Sequence, residues 1–124
     1  MIEQDFFAFM SAAFPTTPIA YPAIKFTPPK DGRWFELSVF RAQPLDGANT
    51  AFKPRLSGEL QVMICQRTGK GIASMLQAFE DIATAMPNGT LFSEGLRTSQ
   101  TPYMLSFIID DDRVMLPVTV RFST

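Results

Sequence analysis

Between Gly71 and Met86 the chain reads GIASMLQAFEDIATAM, and this stretch constrains everything around it. Apolar residues fall at Ile72, Met75, Leu76, Phe79, Ile82, Ala83 and Met86. That is the i, i+3, i+4, i+7 spacing of a helix with one apolar face. Gln77, Glu80, Asp81 and Thr84 take the opposite face. Gly69-Lys70-Gly71 breaks the segment before it, and Pro87-Asn88-Gly89 is a stop and turn signal after it. Burying such a stripe contributes about 1.5–3 kcal/mol for each large side chain. A helix this one-sided needs a sheet to cover, and the flanking segments have to supply its strands.

Those segments carry strand patterns. Trp34–Arg41 alternates Phe35, Leu37 and Val39 against Glu36, Ser38 and Arg41. Ser57–Gln66 places Leu60, Val62 and Ile64 on one face, with Gly58 marking a bulge or the strand start. After the helix, Thr90–Arg97 reads as a short strand, and Tyr103–Ile109 alternates Tyr103, Leu105, Phe107 and Ile109. Asp110-Asp111-Asp112-Arg113 turns into Val114–Phe122, whose Val114, Leu116, Val118, Val120 and Phe122 share a face. Pro117 on its other face predicts an edge strand or a bulge.

At the front of the chain, Ile2, Phe6, Phe9, Met10 and Ala13 give a first helix over Glu3–Phe14, with Phe7 off the stripe and expected at the surface. Five prolines between Pro15 and Pro29 exclude helix there, although Ile19–Phe26 has room for a short extended piece. Asp31-Gly32 makes a turn. Ala42–Arg55 has no period and is long for a hairpin connection. The expectation is a single domain over residues 1–124, α+β in class. Two helices cover an antiparallel or mixed sheet in the order α-β-β-α-β-β-β.

Composition narrows the function. The chain has no His, which removes His-based acid–base chemistry, a serine–histidine nucleophile and His metal ligands. Its one cysteine, Cys65, lies in a strand pattern and reads as a core residue, with no disulfide to form. Net charge is −1, unlike the strongly basic balance of a nucleic-acid binder. The charge is unevenly spread: eight basic and four acidic residues between Lys25 and Lys70 leave that window at +4 and the remainder at −5. Such an asymmetry suits a chain that packs head-to-tail against copies of itself.

The N-terminal MIEQDFFAFM lacks the basic start of a secretory leader, and no apolar run approaches a membrane span. Arg67-Thr68-Gly69-Lys70-Gly71 fails as a phosphate loop. Ile64 stands where the first Gly belongs, and Gly71 where Ser or Thr belongs. Asp110, Asp111 and Asp112 lack the spacing of a calcium loop. No cofactor, metal or catalytic set is expected, and an interaction protein is.

Several short motifs, in order, resemble one family. They are Phe26-Thr27-Pro28-Pro29, Trp34-Phe35-Glu36-Leu37, Arg55-Leu56-Ser57-Gly58 with Leu60-Gln61-Val62, Gly69-Lys70-Gly71, Met86-Pro87-Asn88-Gly89-Thr90 and Pro117-Val118-Thr119-Val120-Arg121-Phe122. Together they resemble the tail terminator, or tail completion, proteins of long-tailed phages and prophages. The resemblance implies a non-enzymatic α+β virion protein, assembled in the host cytoplasm. It would form a ring with itself, typically of six subunits. That ring would sit on the tail tube protein, stop its polymerisation and offer a surface to head–tail connector proteins. Neither specific nucleic-acid binding nor a membrane is implied. Another head–tail joining or minor tail protein is the nearest alternative, and a protein-interaction module unrelated to phage is the next.

Charge and loop length suggest where such copies meet. Arg41, Asp46, Phe52, Lys53 and Arg55, in and around the long loop, are expected at a subunit or tube contact. Asp110, Asp111 and Asp112, with Glu94, are the expected acidic counterpart on a neighbouring copy.

Overall fold

A computed structural model of the protein describes residues 2–30, 32–42, 56–69, 71–93 and 96–123. The expected loop through 43–55, with Asp46, Phe52, Lys53 and Arg55, lies outside these, as do Asp31, Lys70 and Glu94. Elements run α1 (Ile2–Ala13), β1 (Ile19–Ala20), β2 (Arg33–Arg41), β3 (Ser57–Arg67), α2 (Ala73–Ala85), β4 (Leu91–Ser93), β5 (Leu96–Thr98), β6 (Tyr103–Met104), β7 (Ile108–Ile109) and β8 (Arg113–Ser123). The class is α+β, as expected. The sheet is mixed, because β1 pairs parallel with β2 while the other pairings are antiparallel.

β3 and β8 form the spine. They pair without interruption from Ser57↔Ser123 to Arg67↔Arg113, and β2 flanks β3 over its whole length. One face of this three-stranded centre carries Phe35 and Leu37, then Leu60, Val62 and Ile64, then Leu116, Val118, Val120 and Phe122. All are buried, and Ile2, Phe6 and Met10 of α1 and Met75, Ala78 and Ile82 of α2 pack on them. The period-2 alternation of the strands and the 3.6-residue period of the helices meet in one core.

Gly58 stands where β3 begins. A methyl group there would overlap the Phe40 carbonyl oxygen and come within 2.9 Å of the Phe122 ring, so only glycine lets β3 approach β2 this closely.

The structure departs from the periodicity in four places. Ile72 precedes the first turn of α2 and is exposed. Phe7 is half-buried rather than at the surface, because its ring meets Tyr21 edge-on at 5.3 Å. Thr90–Arg97 forms two short strands, β4 and β5, instead of one. Tyr103–Ile109 is broken as well. The register runs Met104↔Val118 and then Ile108↔Met115, so this side spends one residue more than β8 does. That is a bulge.

The bulge explains Pro117. β8 is not an edge strand, since β3 lies on one side and β5, β6 and β7 on the other. Leu105 N–H donates to the Pro117 carbonyl at 2.9 Å, so the Pro117 main chain faces the β6–β7 side. Its missing donor therefore falls opposite the interrupted ladder, and pairing with β3 loses nothing.

Candidate functional site

Two ends of the sheet carry the charged side chains singled out above. At the end of β2, Arg41 donates to the Glu3 carboxylate through Nε at 3.0 Å and through Nη2. That contact holds the Glu3 carboxyl below the usual carboxylate range and raises Arg41 in turn. Arg41 thus ties α1 to β2 within its own chain. At the other end, the β7–β8 turn is closed by Asp110 N–H donating to the Arg113 carbonyl at 2.8 Å. Asp112 there accepts from Arg67 at 2.9 Å and from Arg113 at 3.4 Å. Arg41 pairs in register with Gly58 at the start of β3, whereas Asp112 contacts Arg67 at its end. The structure therefore places the expected partners at opposite ends of one molecule and does not bring them together.

Sequence reasoning did not find the cluster around Trp34. Its ring is fully buried between two guanidinium groups, with Arg67 Cζ at 5.3 Å and Arg113 Cζ at 5.4 Å from the ring centroid. Each such contact contributes about 0.5–2 kcal/mol. Trp34 Nε1–H donates to Glu36 Oε2 at 3.0 Å, and Arg113 reaches the same oxygen at 3.4 Å. Arg67 Nε–H donates to the Pro29 carbonyl at 3.3 Å, which draws the proline-rich segment over the ring. Every charge here has a neighbour of opposite sign, as a structural clasp requires. The signal was in the sequence only as separate residues; Arg67 and Arg113 are opposite each other through the β3–β8 register.

The chemistry available is correspondingly small. Cys65 is the register partner of Trp34 across β2–β3 and is buried. Burial, with the Glu36 charge adding to it, pushes its thiol up to about 12, so it is a protonated core side chain rather than a nucleophile. Among the described residues no group of three or more Cys, Asp or Glu side chains is placed to hold a metal ion, the Asp110–Asp112 turn included. An open cleft of about 400 Å³ near Phe40, Ser57, Gly58 and Phe122 is lined by Arg41 and by the Glu59–Arg121 pair, 3.7 Å apart.

Exposed large apolar side chains gather mainly at two edges of the sheet. Along β6 and β7, Met104, Leu105, Ile108 and Ile109 are exposed, Ile109 to 76%. No strand among the described residues pairs with their outer side. At the other edge, β1 covers β2 only at Phe35 and Glu36. The chain leaving β1 turns at once: Ile24 N–H donates to the Tyr21 carbonyl at 3.3 Å, and Ala23 sits at φ 62°. This left-handed conformation costs a non-glycine residue of order 1–3 kcal/mol. It holds Ile24 out at 65% exposure, beside Lys25 and on the same side of the sheet order as exposed Phe40. With Ile72 and Leu91 excepted, every exposed large apolar side chain among the described residues lies at one of these two edges.

Comparison with known proteins follows the same line. A family model described as phage tail terminator protein matches residues 4–122. A solved structure superposes with a TM-score of 0.74 at 19% identity, covering 98% of this chain and 89% of the other, which establishes a shared fold. No curated protein sequence matches significantly.

Proposed function

The chain belongs to the phage tail terminator family, and on that premise we propose that it is a structural protein of the virion tail that works as a ring. Copies close on themselves, six by the family resemblance, and cap the tip of the tail tube. The cap stops addition of tube subunits and offers head–tail connector proteins a surface to join. The work is done by shape, without catalysis, cofactor or metal. The observation that carries this reading is the family match over nearly the whole chain, 4–122. The exposed apolar run Met104, Leu105, Ile108 and Ile109 at one sheet edge supports it, since clustered apolar exposure marks an interaction surface where single exposures do not.

Tail assembly in the absence of this chain tests the reading. Overlong tubes are expected. Tails of normal length that lack heads would instead mean a joining protein, and normal infectious virions would mean no role in the tail.

A further inference from the structure

We propose that the two sheet edges are the two halves of one head-to-tail contact between copies. The β6–β7 edge of one molecule docks on the β1 edge of the next, where the strained Tyr21–Ile24 turn projects Ile24. The identity of the occupant as a second copy rests on the ring reading above; the choice of surfaces rests on the following features.

The β6–β7 edge exposes apolar side chains on both faces, and no strand among the described residues lies along its outer side. Edges kept single are guarded by very short strands, bulges, Lys or inward charge. The two-residue β6 and β7 and the bulge between them interrupt the ladder, which leaves docking here to side chains. Here Met104 to Ile109 contains no charged residue at all. Charge appears only where the edge ends. No cation among the described residues pairs with Asp110 or Asp111, and no acid among them pairs with Lys25 at the other edge. The two edges thus carry apolar knobs of like kind and, among the described residues, charges of opposite sign outside any ion pair, which favours a heterologous contact over an isologous one. A heterologous contact closes into a ring when its rotation permits. Strain at Ala23 also has a use in this arrangement, because it fixes Ile24 before a partner arrives.

The test is sedimentation of the whole chain at increasing protein concentration, beside electron microscopy with tail tubes. The wild type is expected to form a closed oligomer. Ile109→Lys and, separately, Ile24→Ser with Lys25→Glu should each weaken association by at least about thirtyfold, the size of an interface hot spot. Both sites are exposed, so unchanged circular dichroism should accompany the loss; Ile109→Ser, which introduces no charge, should give a smaller loss in the same direction. At low salt, Asp110→Lys with Asp111→Lys should weaken association, and adding Lys25→Glu to the same chain should restore it.

Association untouched by the Ile109 variants overturns the proposal. Loss with the Ile109 variants but none with the Ile24–Lys25 variant overturns the head-to-tail pairing in favour of an isologous one. A wild type that stays monomeric overturns the proposal even if it caps tubes, in which case the tail role stands. Edge-dependent oligomers that ignore tube tips would do the reverse.

Discussion

The helix-covered face of the sheet and its two edges are made of the same residue types, yet the fold treats them in opposite ways. On the covered face Phe35, Val62, Ile64 and Val118 have no exposure at all, and two amphipathic helices exist to keep it so. At the edges, isoleucines of equal size are left in water. Stability and association therefore reside in different places. Side chains that the chain covers by itself hold the domain together. Side chains that it leaves open are available to another molecule.

Mutations at the two regions should separate these roles. The largest effect on stability is expected in the core: Phe35→Ala should cost about 3–5 kcal/mol, read as a lower denaturant midpoint. Gly58→Ala should follow at about 1–3 kcal/mol, because the added methyl overlaps the Phe40 carbonyl where β2 and β3 meet. Equal stability in that variant would mean the strand start can shift freely. The Glu3–Arg41 pair is partly exposed and should contribute less than about 1 kcal/mol. Because the Glu3 carboxyl is lowered in the folded state, its contribution is complete above the ordinary carboxylate value and fades as pH falls through the lowered one. The stability difference between wild type and Glu3→Gln should therefore vanish in acid and be constant near neutrality. The smallest change belongs to the edge: Ile109→Lys should move stability by less than about 0.5 kcal/mol. A large loss there would make β7 part of the core after all and erase the contrast.

The same contrast marks what the sequence made legible. α2 was readable because its stripe repeats locally, and β3 and β8 because their alternation is unbroken over the buried face. Phe7, read as exposed, escapes the helical stripe only to meet Tyr21, a contact made by the chain's path after β1. The Trp34 clasp depends on Arg67 and Arg113 meeting through β3–β8 pairing, which no local period announces. In Tyr103–Ile109 one inserted residue reverses the faces midway, so the alternation that predicts a strand misassigns its outer side chains. Of the expected contact residues, Arg41 and Asp112 proved to have partners inside the chain, Asp110 and Asp111 stay free of cations among the described residues, and the loop residues fall outside the described ones. Pro22 ahead of Ala23 was the available sign of the turn that exposes Ile24.

The central claim is that this chain acts by covering the end of a tail tube. Electron microscopy of tail tubes growing with and without the purified protein tests it most directly. Rings seated on tube tips, and tubes that stop lengthening once the protein is added, are the expected outcome. Bare tips and unchanged elongation would contradict it.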